Sequence, residues 1–561
     1  MAGNVLPSAR QRRRQPGAVY RPRRPETTVL HQTVREHLET FLVRARDDER
    51  PVPRFVEREF RAFLDCGVLA CGFVRVHCDE CGRDRLVAFS CKGRGFCPSC
   101  GGRRMADTAA HLVEAVLPRV PVRQWVLTLP FALRYRLAFD AELTAAVLGL
   151  FVRALFASLR RRARRRGWRS PSRCGAVTFV QRFGDALNLN VHFHTLALDG
   201  VYASASPGGE RFVPLPPPET SDVEGVARRV ARGLARLLER RGLGPEGDPS
   251  LADPMPAEDP FLAVLSSASV LGRVATGKRA GQRILRFGDE VGTEEAENPA
   301  GPRCVTLGGL SVHAEVAVPA RDRRRLERLC RYAGRPPLAT RRLSRLPDGR
   351  LFYRLKRRWR DGTTHMIFEP LELIEKLAVL VPPPRIHQVR YHGLLGPAAV
   401  RRSLIVPGRR VSDPHGPDPC GPSAPRGKSP PPAGSPPAAP LSHSPGEAGH
   451  GPPVPEAAHP QSHSRSHLPA ARVPSPSAGW PLDSFGRALP WAELIRRVFA
   501  VDVLECPRCG GRMRILAAIQ IPEAIRAILD HLDLPSRAPP LAPARPLPRS
   551  EPETTPEPPE A

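Results

Sequence analysis

Apolar residues recur at three- and four-residue spacing over residues 31–46 and 54–64, which predicts two amphipathic helices early in the chain, with a third over 105–117. Residues 124–129 alternate instead, the period of a half-buried strand, and Pro130 ends them. Helical spacing returns over 141–166. Residues 176–183 and 187–201 alternate again around Gly184-Asp185 and predict an antiparallel hairpin. A helix over 223–240 follows, then a loop over 243–260 rich in Gly, Pro and acidic residues, then a strand over 309–318 bearing His313. Residues 326–338 form a basic helical segment that Pro336 and Pro337 stop. This order predicts an α+β fold, an antiparallel sheet with helices packed on it.

Candidate chemistry sits on two of these elements. Asn190, His192 and His194 alternate with Leu189, Val191 and Phe193, so both imidazoles share one face of the second hairpin strand. Two neutral imidazoles side by side on a rigid strand suit a divalent metal, and two polar residues facing water would give the same pattern. Asn190, Asp199 and His313 are candidates for a further ligand. Tyr332 lies near the end of the basic segment between Arg328, Arg331 and Arg335. Those arginines could hold the anion that a phenol must approach to attack a phosphodiester, while a half-buried tyrosine with a satisfied hydroxyl is the plainer alternative. Tyr391, beside His392, is the runner-up nucleophile, though the proline run before it predicts a packed loop, and Tyr353, in a strand-like segment, ranks below it.

Cys78-x2-Cys81 and Cys97-x2-Cys100 have the spacing of two knuckles closing one four-cysteine zinc site, with Cys91 as an alternate ligand. Cys66, Cys71 and His77 lie close enough to compete, the two cysteines reading better as small buried thiols. Near the other end, Cys506-x2-Cys509 is half a zinc site. It could be completed by His531 or a second chain, or be two thiols in a turn. The cysteines are clustered and the N-terminus has no apolar signal core, which argues against a disulfide framework.

Charge sharpens the expected partner. The chain carries 85 Lys and Arg against 56 Asp and Glu, a formal net charge of +29 with pI near 10.9, which would attract a polyphosphate. Only five of the 85 are lysines, so arginine usage also carries a compositional bias. The cluster Arg160, Arg161, Arg162, Arg164, Arg165 and Arg166 closes the 141–159 amphipathic segment and is expected to touch phosphate. No run of apolar residues approaches a membrane span by this reading, which predicts a soluble intracellular protein without a membrane partner. The order expected is a basic flexible start (1–28), a zinc-binding module (29–118), the α+β domain with His192 and Tyr332 (119–406), a Pro-rich disordered linker (407–479), a small helical segment carrying Cys506 and Cys509 (480–534) and a disordered tail (535–561).

Taken together, the strand with His192 and His194 followed by a helix with Tyr332 resembles the HUH nucleases. The closer resemblance is to the rolling-circle transposases of the insertion-sequence 91 family. It rests on the stretch from Cys78 to Cys81 through Phe89 to Met105, then 187–202, 326–338, 360–370 and 390–393, with an echo at 491–515. The resemblance implies an HUH-type sheet, a Mg2+ or Mn2+ held by His192 and His194, and attack by Tyr332 on single-stranded DNA to give a 5′-phosphotyrosine. It also implies that the zinc-binding module (29–118) is a DNA-binding domain holding a structural Zn2+ apart from the reaction centre, that 119–406 is the catalytic domain, and that single-stranded element ends and target are the partners in a bacterial cytoplasmic, nucleoid-associated setting. Some members have a second tyrosine four residues before the first; here that position is Arg328, so a single-tyrosine enzyme is expected, alone or with a second protomer. A replication initiator or relaxase-like nickase, and a non-catalytic zinc-bearing DNA-binding protein, are the alternatives.

Overall fold

The computed structural model describes residues 23–204, 209–243, 258–288, 301–406, 492 and 502–545. The expected linker over 407–479 lies outside the described residues. Helices α1 (Val29–Asp47) and α2 (Arg54–Asp65) come first, and the Thr28 side chain caps α1 by accepting from the His31 amide. Strands β1 (Phe73–His77) and β2 (Asp84–Ala88) form a hairpin, and α3 (Pro98–His111) follows, running on through a π-helical turn at Leu112–Val116. The sequence predicts this helix only from residue 105. Its first turn holds Gly101 and Gly102, which carry little helical signal, but Gly101 lets the helix meet Pro336, where a Cβ would stand 2.7 Å from the proline ring.

Strand β3 (Val122–Thr128), helices α4 (Phe131–Phe139) and α5 (Ala141–Arg165), and strands β4 (Ser172–Arg173), β5 (Gly175–Phe183), β6 (Leu189–Leu198), β7 (Gly200–Ser204) and β8 (Glu210–Pro214) build the centre. Helices α6 (Thr220–Glu239) and α7 (Pro260–Leu271) come next. Neither α4 nor α7 is foreseen, since both are short and apolar without a clear period. Asp259 caps α7 by accepting from the Leu262 amide at 3.0 Å. Then come β9 (Leu285–Gly288), β10 (Cys304–Leu307), β11 (Leu310–His313), β12 (Ala317–Val318), α8 (Arg323–Ala333), β13 (Leu343–Arg345), β14 (Leu351–Arg354), β15 (Thr363–Phe368), α9 (Pro370–Leu380) and β16 (Val389–Gly393). The chain closes with β17 (Arg514–Ile519) and α10 (Pro522–His531).

The main sheet has the order β10-β11-β3-β6-β5-β16, with β12 also on β3, and is antiparallel throughout. β6 is therefore flanked on both sides. Its Val191 and Phe193 point with Trp125 and Leu127 into a core shared with α4, α5 and α6. The other face carries Leu196, Leu198, Val177 and Phe179 under α3 and α8. The fold is thus α+β with an antiparallel sheet between helical layers.

Four expectations change here. The strand expected over 187–201 breaks at Asp199, whose carboxylate Arg123 holds at 2.8 and 2.9 Å with both side chains buried, and β7 leaves for a separate small sheet with β4 and β8. α5 is long and apolar enough by composition to cross a membrane, contrary to the expectation that no segment is, but its apolar face lies in the main core against α6. The C-terminal segment is no separate unit: β17 pairs with β1, giving a sheet of order β17-β1-β2. Residues 535–545, expected as disordered tail, follow α1, with the Ala542 amide donating to the Arg35 carbonyl at 3.2 Å and the Arg545 amide to Thr40 Oγ1 at 3.0 Å.

Candidate active site

The register places His194 between Val126 of β3 and Phe179 of β5, and His192 between Thr128 and Gln181, all on one face. The imidazole centroids are 4.9 Å apart. His192 Nδ1 donates to the Asn190 carbonyl at 2.9 Å, which leaves Nε2 with its lone pair outward. His194 Nδ1 is 2.6 Å from the Gln124 side-chain amide, and its Nε2 is buried with no hydrogen-bond partner. With the Gln124 oxygen turned toward it, His194 would donate through Nδ1 and present Nε2 in the same sense as His192. Burial pushes the His192 imidazole down to about 4, with Arg335 and Arg134 adding and the Asn190 carbonyl opposing. Burial also holds His194 well below its ordinary value, helped by His192, Arg335 and Lys356. Both rings are therefore neutral at neutral pH, the state in which they can ligate a metal.

Two further oxygens on this face are buried without a partner, Asn190 Oδ1 and Gln181 Oε1. Buried polar atoms without partners are costly, and three of this kind, His194 Nε2, Asn190 Oδ1 and Gln181 Oε1, next to His192 Nε2 on adjoining positions, fit a small divalent cation. Asp199 does not belong to the set, since Arg123 occupies it on another part of the strand. His313 sits on the same face but two strands from His194, roughly 10 Å away.

Tyr332 comes over this face from the last turn of α8. Its ring meets that of His194 edge-on at 5.7 Å and 88°, and the side chain is 39% exposed, open to a ligand. Gln181 Nε2 donates to the Ala333 carbonyl at 2.6 Å, tying the end of α8 to the strand position opposite His192. Arg335 lies 4.7 Å and Lys356 4.4 Å from the Tyr332 ring centroid. These groups line a cleft of about 340 Å³ with Arg328, Arg331 and Arg342. Tyr353 is buried, and Tyr391 lies on the sheet-edge strand β16, two strands and two residues from His194.

The arginines divide. Arg328 is exposed at the cleft, Arg335 is on Tyr332, and Arg331 is bound to Glu327 at 2.7 Å. The cluster on α5 lies behind the opposite face of the sheet. Arg162, expected to touch phosphate, is buried, its Nε 3.5 Å from Asp222 and its other end on the Pro216 carbonyl, and Arg165 also pairs with Asp222. Arg164 and Arg166 remain exposed.

The cysteines do not form the single site expected from Cys78, Cys81, Cys97 and Cys100. Cys97 and Cys100 join Cys66 and Cys91, with ligand atoms all within 4.8 Å of one another, while Cys78 and Cys81 face Cys506 and Cys509. Cys91, the expected alternate, is thus a member of the first cluster. The spacing misleads because β1 and β2 hold the first knuckle at the far end of their hairpin, away from the start of α3. The first cluster sits in the same core as the main sheet, beside Phe60, Phe63 and Phe96.

A family profile described as "Putative transposase" matches residues 175–403, which contain the histidine strand and the Tyr332 helix, and one described as "Transposase zinc-binding domain" matches residues 33–129. The chain belongs to the insertion-sequence 91 family of transposases. No curated protein and no solved structure matches it. The transposase accordingly binds DNA and carries structural zinc, and the first cysteine cluster lies wholly within the zinc-binding match. Sequence reasoning passed over Gln124, Gln181 and Lys356. Gln181 could have been found by pairing the two hairpin arms, while Lys356 was signalled only as one of five lysines.

Proposed function

We propose that this transposase nicks and rejoins single-stranded DNA by HUH chemistry, with Tyr332 as a single nucleophile, in rolling-circle transposition. The observation that carries the reading is the placement of the Tyr332 ring against His194, beside His192, in a cationic cleft. Mg2+ or Mn2+ bound by His192 and His194, with Asn190 or Gln181 oxygen, would polarise the scissile phosphate and offset transition-state charge. Arg328, Arg335 and Lys356 bind the flanking phosphates and turn the scissile one toward the phenol. Tyr332 Oη attacks phosphorus, a tyrosyl phosphoester forms, and the bond to the 3′ oxygen breaks. The phenol proton leaves to solvent and the departing strand ends in a 3′-hydroxyl. Rejoining runs the same exchange backward with a 3′-hydroxyl as the attacking group, so the phosphoester bond is conserved and no nucleotide cofactor is required.

Gln181 and Gln124 act as positioning residues, one holding the α8 end and the other the His194 ring. The setting implied is the bacterial cytoplasm, at element ends and target sites, by one protomer or two. The test is incubation with labelled single-stranded DNA from the flanks of the protein's own gene. A detergent-resistant adduct is expected from the wild type and from Tyr391→Phe but not from Tyr332→Phe. An adduct from Tyr332→Phe that disappears in Tyr391→Phe moves the nucleophile to Tyr391. An undiminished adduct with both histidines replaced by alanine sinks HUH chemistry and favours a different strand-transfer mechanism.

A further inference from the structure

The second cysteine cluster lies outside the site proposed for DNA cleavage and brings together residues more than 400 positions apart. Cys78 Sγ is 3.4 Å from Cys509 Sγ and Cys81 Sγ is 3.4 Å from Cys506 Sγ, all four thiols free. The two halves are built alike. In the first, the Cys78 amide donates to the Arg83 carbonyl and the Gly82 amide to the Cys78 carbonyl; in the second, the Cys506 amide donates to Gly511 and the Gly510 amide to Cys506, every bond at 2.9 Å. Gly82 and Gly510 each follow the second cysteine of their pair and take positive φ, 69° and 75°. In the second half the Gly511 amide also points at Cys509 Sγ at 3.4 Å, a contact suited to thiolate.

We propose that Cys78, Cys81, Cys506 and Cys509 bind a second zinc ion, which staples the C-terminal strand to the N-terminal hairpin. Two matched knuckles facing each other supply four soft ligands in the tetrahedral arrangement that Zn2+ takes in closed, structural sites. The surroundings need such a staple. The apolar core around the cluster is Val76 and Met513 with the cysteines themselves, and the side chains of β17 are largely exposed. A module with so little core gains its folding free energy from metal. One ion pair reinforces the join at the surface, Arg514 with Asp79 at 2.8 Å, and a second, Arg512 with Asp502 at 3.0 Å, braces the C-terminal knuckle itself. These contribute little by themselves. The zinc-binding region of this transposase is then discontinuous in sequence, finished by residues that the zinc-domain match at 33–129 does not reach.

The experiment counts zinc in the full-length reduced protein by mass spectrometry of the metal. Wild type is expected to hold two ions per chain. Cys506→Ser with Cys509→Ser should hold one, as should Cys78→Ser with Cys81→Ser, and all four changes together should still leave one, because the pairs share a single ion. Retention of that ion reports that the main core has folded. One zinc in wild type, two in the Cys506/Cys509 variant, or none in the fourfold variant while its circular dichroism stays native would each overturn the proposal. A protease site inserted between 410 and 480 gives a second readout: after cutting, the C-terminal piece should stay bound and leave on chelation. A piece that stays bound without metal overturns the staple. Neither readout involves DNA cleavage, so either result leaves the tyrosine chemistry to be judged separately.

Discussion

The strand that carries His192 and His194 and the ribbon that carries Cys78 and Cys506 are both antiparallel β-structure, yet they are held in opposite ways. β6 has a partner on each edge and apolar cover on each face, with Val191, Phe193, Leu196 and Ala197 fully buried. Its histidines are fixed by packing before any ligand arrives. The β17-β1-β2 sheet has three strands and small apolar clusters around Phe73 and Val76. Its geometry depends on what joins its ends. A preorganised reaction site can be built from core packing, whereas a small binding module at the margin of the same protein needs metal.

The strongest way to break that contrast is to remove zinc. Apparent zinc binding free energies in small structural modules are about 10–16 kcal/mol, so chelation should expose the amides of 73–88 and 514–519 to exchange while those of β6 stay protected. Release should also be biphasic. Cys509 is exposed and Cys97 and Cys100 are buried, so one ion should leave well before the other. Loss of β6 protection together with the ribbon would show that the two regions share one source of stability.

Tyr332→Phe comes next, with adduct formation falling by on the order of 10³-fold or more while zinc content and single-strand affinity hold. Acid should then separate the regions. Burial holds His192 at about 4 against an ordinary 6.5, so between those values the unfolded chain binds a proton that the folded chain refuses. Stability from this group is complete above pH 6.5 and is lost as pH falls toward 4, by roughly 3 kcal/mol. Urea unfolding followed at the main sheet should show this loss in wild type and less of it in His192→Gln; an equal loss in both would assign it elsewhere.

Gln124→Ala removes the only partner of His194 Nδ1 among the described contacts and should weaken divalent-metal-dependent nicking about 10- to 100-fold, with Gln124→Glu restoring part of it. The smallest effect concerns charge. Arg328→Ala should reduce the salt slope of single-strand binding by about 0.7, one phosphate's worth, and Arg164→Ala on the opposite helical layer should leave it unchanged. Equal slopes in the two variants would mean that DNA also crosses the α5 side.

Legibility in the sequence follows the same division. The alternation of Asn190, His192 and His194 is local, so strand, face and candidate chemistry were all readable from the six residues 189–194. What orients them was not. Gln124 lies 70 residues from His194 and joins it only through the pairing of β3 with β6. Arg162 was misjudged despite a usable signal, for it continues the Leu155 and Leu159 stripe of α5 at helical spacing and so turns inward, where Asp222 waits. The grouping of cysteines was out of reach because nearness in sequence favours Cys97 and Cys100 as partners of Cys78, and only strand pairing across the length of the chain brings Cys506 there. α7 escaped because a helix apolar all round has no period to detect.

The pairing of β1 with β17 also sets an order of events during synthesis. Cys81 and Cys506 are 425 positions apart, so at ribosomal speeds of about 5–20 residues per second the hairpin waits roughly 20 to 85 s for its third strand to be made. The main sheet, finished by residue 393, has emerged long before. A messenger cut short after residue 406 and before residue 506 therefore yields a product with His192, His194 and Tyr332 in place and an open ribbon. Completion of that ribbon is a built-in record that translation has passed β17.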